Sequence, residues 1–543
     1  MFQRLIIILA LAVIVALPFA LRPKQRSPVH ADETLVIITP HNGAIRHEFA
    51  LGFERWYRTR TGRNVALDWR VIGGSSDITR FLESEYIASF RNYWTNRLHR
   101  SWSTEVEAGF ANGRLPTDAP AVAKEARATF LDSNVGCGID LFFGGGSYDF
   151  IQQANAGRIV PSRVFAQHPE WFRDEVIPMT FAGEQYWDAD GRWVGNVLSN
   201  YGILYNRDSL ARLGVAHPPR AWSDLADPRY LGEIALADPT KSSSIAKAFE
   251  NLIQQQMQRR LVALRAAAPG AAERTAKAVE AQAVREGWIA GLRLLQLIGA
   301  NARYFTDSSQ KPPIDVAQGD CAAGICIDFY GRSQAEVTQQ RSHGPARLEF
   351  VTPRGGTVSS VDPIAVLRGA PHRDVAEAFL EFTLTMDGQK LWNFRPGGPG
   401  GPERFALRRL PVRRDFYERA EWKQFRSDPE ADPFADTEQL ISQPAWTENL
   451  FREMAFIVRV MILDTHEELV DAWRAIGGAR EPARSRALDA LQDLEPVTYD
   501  RASTDIKRAL TSKNKVDELV LARELGKMFR RNYARAAELA GRK

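Results

Sequence analysis

"IDLFFGGGSYDFIQQANAGRI", Ile139 to Ile159, is the stretch whose reading decides the fold. Ile139–Phe143 is apolar almost without interruption, the pattern of a strand buried on both faces of a parallel sheet. Phe150, Ile151 and Ala154 fall along one helix face, and Gly157 stops that helix. Between strand and helix stand Gly144, Gly145 and Gly146, which let backbone come close to a neighbour, and Ser147, placed as the helix N-cap. Such a turn exposes backbone N–H groups at the positive end of a helix dipole, which suits an anion. It equally suits a tight turn with no ligand.

The same plan recurs along the chain. Leu35–Ile38 reads as a buried strand, Pro40–Gly43 as a turn, and Ala44–Tyr57 as an amphipathic helix with Ile45, Phe49, Phe53 and Trp56 on one face. Strand Val65–Val71 leads through Gly73-Gly74-Ser75-Ser76 into a helix from about Asp77. Residues 87–135 are polar and helix-prone and read as an insertion. Later, strand Ile234–Ala237 passes through "DPTKSSS" into a helix near Ser243, Ile325–Tyr330 reads as a strand, "RLEFVTP" as another and Ile364–Leu367 as one more. All these turns lie at carboxyl ends of strands, where open α/β sheets bind ligands. Residues after about 405 form a mainly helical extension.

The bulk properties narrow the function classes. The chain has 543 residues and a net charge of +4 from 70 basic and 66 acidic residues. That near-balance, with no basic stripe interleaved with aromatics, gives no argument for nucleic acid as a partner. Of the three cysteines, Cys321 and Cys326 either form one bridge or stand buried as small apolar groups. No Cys/His spacing fits zinc, and no cofactor motif is present. Leu5–Leu21 is apolar throughout, so residues 1–22 read as a signal peptide or a membrane anchor, with cleavage left open. No Gly-x-Ser-x-Gly elbow, His-Glu-x-x-His or phosphate-binding loop occurs, which argues against an enzyme.

Five segments, in order, resemble the extracellular solute-binding proteins of bacterial ABC transporters, in the branch of ferric-iron and related anion binders. They are "TLVIITPHN", "GIDLFFGGGSYDF", "NYGILYNRDSLARLG", "WSDLADPRYLGEIALADPTKSSS" and "SSVDPIAVLRGAPHRDVAEAFLEFTLTMDGQKLW". The resemblance implies an α/β, two-lobed type II periplasmic-binding-protein fold with a ligand in the cleft. Lobe one spans about 33–200 and returns at 356–404; lobe two spans about 201–355. It further implies export to the periplasm or the outer face of the cytoplasmic membrane, and a membrane permease as partner. The extension at 405–543 exceeds the usual core of the family and is expected to cover one lobe.

A binding cleft needs polar groups from both lobes. Lobe one offers His41, Asn42, Ser75, Ser76, Gly145, Gly146 and Ser147. Lobe two offers Thr240, Lys241, Ser242, Ser243, Asp328 and Tyr330, and the return crossover offers Asp362. Plain roles compete. Ser242, Ser243 and His41 suit helix caps, Asp238-Pro239 suits turn initiation, and Tyr330 suits a core aromatic. Ferric-binding relatives carry adjacent tyrosines, whereas this sequence has only Phe329-Tyr330. A hard cation would have to use His41, Glu48, Asp328 and Tyr330, so an oxyanion-bearing solute is the favoured ligand. A ferric or other metal-ion binding protein, a ligand-sensing receptor and an exported hydrolase on the same frame are the alternatives.

Overall fold

The computed structural model describes residues 31–267, 273–342, 344–512 and 514–541. The apolar run Leu5–Leu21 and the proposed signal or anchor lie outside these residues. Among the described residues no helix is long and apolar enough to cross a membrane.

The chain opens with β1 (Glu33–Ile38), α1 (Gly43–Thr61), β2 (Val65–Arg70), α2 (Ser75–Asn92), β3 (Leu141–Phe143), α3 (Ser147–Ala156) and β4 (Ile159–Val160). A small hairpin, β5 (Thr180–Phe181) and β6 (Glu184–Gln185), precedes β7 (Val194–Ser199). Asn200 alone separates β7 from β8 (Tyr201–Asn206). Then come β9 (Ile234–Ala237), α4 (Ser243–Ala267), α5 (Glu273–Ala300), β10 (Ala302–Thr306), β11 (Ala323–Ile327), α6 (Asp328–Arg341) and β12 (Leu348–Val351). The chain returns through β13 (Ser360–Leu367) and reaches a last strand, β14 (Leu410–Pro411).

Two sheets result. The first has the order β14-β7-β13-β3-β1-β2, with β4 beside β13; the second has the order β10-β9-β11-β8-β12. β1 is parallel to β2 and β3, and β13 runs antiparallel between β3 and β7. The chain therefore passes from sheet to sheet twice, at Asn200 and at residues 352–359. The two crossovers are tied together: Ser359 Oγ donates to Asn200 Oδ1 at 2.8 Å, and Tyr201 N donates to Thr357 Oγ1 at 3.1 Å. The strands of both sheets are mostly buried, as their apolar runs require.

Several boundaries differ from the sequence reading. Ser147 does not cap α3: Gly146 holds the cap position and Ser147 is the first helical residue. His41 does not cap α1, because Asn42 Oδ1 accepts from Ile45 N at 3.0 Å. The strand expected over Ile325–Tyr330 stops at Ile327, where its partner β8 begins at Tyr201 and the register runs out. Asp328 then starts a helix, as an acidic residue at a positive helix end favours. Cys321 and Cys326 are free and buried, packed with Leu204, Ala235 and Val316 rather than bridged.

The extension divides in two. Residues 405–443 are not helical cover but wrap the first sheet, which β14 joins beside β7. The helical part, α7 (Phe451–Val458), α8 (His466–Gly478), α9 (Ala483–Leu491) and α10 (Lys515–Leu539), packs on the second lobe along α5. Trp288 Nε1 donates to Val497 O at 2.9 Å, and Gln296 Nε2 to Tyr533 Oη at 3.1 Å. A strap joins the two parts. Gly355 N donates to Glu438 O, Leu440 N to Thr357 O, and Ser442 N to Ala182 O, each at 2.7–2.8 Å. Gln443 N donates to Gln254 Oε1 at 2.8 Å, and the Phe451 ring lies 4.7 Å from that of Tyr148. The strap thus grips α3 and the hairpin on one lobe and α4 on the other.

Candidate functional site

Three helix starts meet at the seam between lobes. α2 begins at Ser75 and α3 at Ser147, both on the first lobe; α4 begins at Ser243 on the second. The Ser75 and Ser243 hydroxyls are hydrogen-bonded to each other across the seam. A Cβ added to Gly146 would lie 3.5 Å from Ser243 Oγ and 3.8 Å from Asp149 Oδ2, so backbone, hydroxyl and carboxylate share one spot. A Cβ at Gly74 would meet Lys241 O at 2.8 Å, so the approach of the lobes is by backbone as well. The first N–H groups of each helix have no partner within the helix, and here three such sets converge.

Asp149 was not among the residues singled out from sequence. It is 4% exposed. Its Oδ1 accepts from Thr79 Oγ1 at 3.3 Å, and its Oδ2 has no hydrogen-bond partner among the described residues. Burial pushes its carboxyl above the ordinary carboxylate range, against the pull of the hydroxyls of Ser75, Ser243 and Thr79. A cavity of about 100 Å³ lies at the same seam, lined by Gly146, Ser147, Tyr201, Ser243, Lys247 and Ser360. Lys247 is held at 2.8 Å from both Glu184 of the first lobe and Glu250 of the second. Burial lowers its pKa, but the two carboxylates outweigh that and the net shift is upward. An open groove of about 1060 Å³ adjoins, with Ser76, Asp149, Thr240, Lys241 and Ser243 in its wall.

A second cluster lies at the other end of the glycine turn. Gly144 has φ +87°, and a Cβ there would stand 2.3 Å from His41 Nε2, so only glycine lets the ring pack. His41 is buried against Phe143 and Trp392. Burial, then Arg409 and Arg46, hold its pKa well below 6.5. Arg409 is fully buried. Its Nη2 lies 2.8 Å from Asp362 Oδ2 and donates to Ser199 Oγ at 2.5 Å, while its guanidinium stacks 4.3 Å over Phe329. Its Nε and Nη1, both oxygens of Asp328, and His41 Nε2 have no hydrogen-bond partners among the described residues. Burial raises the Asp328, Asp362 and Tyr330 pKa values.

The expected residues therefore fall into groups. Ser75, Ser76, Gly145, Gly146, Ser147, Thr240, Lys241 and Ser243 stand at or beside the helix-start seam; His41, Asp328, Tyr330 and Asp362 stand around Arg409. Others carry local duties. Ser242 Oγ accepts from Ile245 N, Thr240 bonds Asp238, and Lys241 is paired with Asp307 at the rim. Asn42 faces a separate hollow beside Tyr330. Glu48 is spent on the backbone N–H groups of Glu403, Arg404 and Phe405. That removes it from the cation set, and among the described residues no group of three or more His, Cys, Asp or Glu is placed to hold a metal ion.

Residues 138–399 match the family described as bacterial extracellular solute-binding protein. This stretch, just under half of the chain, is similar to that family. Its setting, two α/β lobes joined by two crossovers, is the type II periplasmic-binding-protein architecture with a C-terminal extension added. The chain has relatives of low identity. An uncharacterized protein of Haemophilus influenzae is 24% identical over 255 residues, 46% of this chain and 60% of its own length. The phosphoglycerate transport regulatory protein PgtC of Salmonella typhimurium is 24% identical over 319 residues, 58% of this chain and 64% of its own length. The chain thus spans less than two thirds of either relative. Among solved structures, the periplasmic binding protein AfuA of Actinobacillus pleuropneumoniae, with fructose-6-phosphate bound, superposes with TM-score 0.46 at 16% identity, over 82% of this chain and 98% of its own. Iron-bound HitA of Pseudomonas aeruginosa gives 0.43 at 15%, over 78% and 99%.

Proposed function

We propose that this protein is exported, captures a small oxyanion-bearing solute between its lobes, and delivers it to the membrane permease of an ABC uptake system. The observation that carries this reading is the meeting of three helix starts, from both lobes, at the seam marked by Ser75, Gly146 and Ser243. Leftover N–H groups and hydroxyls bind an anion without a full counter-charge. The site is one of binding and not of turnover. It works in the periplasm or at the outer face of the cytoplasmic membrane, where the apolar run Leu5–Leu21 would direct it. The name of the Salmonella relative makes a phosphate-bearing carboxylic acid the first solute to try.

Native mass spectrometry of freshly purified protein, followed by calorimetry with 3-phosphoglycerate and inorganic phosphate, tests the reading. A retained anion, displaced one-for-one by an added phosphate compound and not turned over, is the expected result. A retained metal whose removal by chelator abolishes binding would overturn it.

A further inference from the structure

A carboxylate is out of place among donors gathered for an anion. Asp149 is the third residue of α3, a position from which an acidic side chain commonly reaches back to its own helix start. Here the side chain is buried, Oδ1 is turned to Thr79 of α2, and Oδ2 faces the seam with no partner among the described residues. The Ser75 and Ser243 hydroxyls beside it are bonded to each other, which uses one of their two protons, and both draw on the carboxylate. The spot where a Cβ of Gly146 would stand lies 3.8 Å from this oxygen and 3.5 Å from Ser243 Oγ, so a solute atom at that spot meets both Ser243 and Asp149.

An ionised carboxylate is an acceptor only. A fully deprotonated oxyanion brings it no proton and a repelling charge, in a site where burial strengthens both effects. An oxyanion that still carries a proton donates to it instead. Phosphate and its monoesters keep such a proton over part of the neutral range, with a second pKa of about 6 for esters. Sulfate and sulfonates do not. Resting on the anion reading above, we propose that Asp149 is a specificity-determining residue that accepts a hydrogen bond from a P–OH group, so the site takes phosphate or a phosphate monoester and rejects sulfate.

The test is calorimetry at pH 6 and fixed ionic strength, with inorganic phosphate, glycerol 3-phosphate and sulfate as probes. The wild-type chain should bind at least one phosphate probe about tenfold or more tighter than sulfate, the worth of one bond to a charged group. Asp149→Asn offers an amide N–H to a bare oxyanion, and should draw the sulfate affinity to within about threefold of that for phosphate. Ser243→Ala should weaken all bound probes alike. Equal wild-type binding of sulfate and phosphate would overturn the proposal and leave the anion reading standing. A phosphate preference unchanged in Asp149→Asn would do the same. Failure of all three probes to bind would remove the anion reading and this proposal together. The wild-type ratio decides even where a variant does not fold.

Discussion

Ser243 and Tyr330 divide the anion reading from its rival at the scale of single residues. Ser243 sits at the seam of helix starts; Tyr330 sits beside the buried arginine. Ser243→Ala should weaken binding of a phosphate compound by about 1–3 kcal/mol, and Tyr330→Phe by less. Calorimetry giving the reverse order would favour a phenolate ligand and a metal. His41 gives a second prediction, in stability. The folded chain keeps it neutral, whereas the unfolded chain protonates it near 6.5, so the unfolded state binds more protons below that pH. Its contribution is intact above pH 6.5 and is lost as pH falls below it. The buried carboxyls of Asp149, Asp328 and Asp362 shift the other way and gain stability on acidification. Comparing His41→Gln with wild type therefore isolates the histidine. Urea midpoints measured from pH 7.5 to 5 should fall less steeply in the variant; parallel curves would refute the assignment.

Elements were legible where periodicity was strong and local. The βα turns at Ser75, Gly144–Gly146 and Ser243 followed from apolar runs broken by glycine and serine. The start of α6 did not, because Ile325–Tyr330 is apolar enough for a strand and only the end of β8 stops the pairing. Arg409 was beyond reach for another reason. It lies in "FALRRLPVRR", where four arginines look alike, and a two-residue edge strand leaves no periodic trace. The one hint was alternation, with Leu407, Arg409 and Pro411 on one face of an extended run. Asp149 was hidden because its burial depends on the second lobe. The strap carries the prediction at this scale. Gly183 has φ +80°, and a Cβ there would stand 1.9 Å from Ser442 O. Gly183→Ala should strain the hairpin by about 1–2 kcal/mol and release the strap. Hydrogen exchange at residues 438–443 should then quicken while β1–β3 keep their protection; unchanged exchange would show that the contact is not needed.

Across the whole molecule, two lobes share one seam, and ligand contacts from both sides favour the closed form only through their difference in affinity for the two states. Small-angle scattering should show a smaller radius of gyration at saturating ligand than without it. An unchanged radius at proven saturation would make the frame a rigid scaffold. Lys247 adds to the closed form from within, since Glu184 and Glu250, its two partners, belong to opposite lobes. Opening the cleft must separate that buried trio or carry one carboxylate away from it.

The strap from Glu438 to Phe451 also has a bearing on time. Hinged lobes alone release a solute as fast as the hinge swings, on the microsecond-to-millisecond scale of domain motion. Here the swing also requires the hydrogen bond from Ser442 to Ala182 and the ring contact of Phe451 with Tyr148 to part, unless the strap travels with the first lobe and lets go of Gln254 and Glu250 instead. Either route adds broken contacts to the barrier for escape and none to the stability of the empty open state. On the uptake reading proposed above, the segment beyond the family core would lengthen the dwell of a captured solute, and the permease that empties the cleft would supply the work of unfastening it.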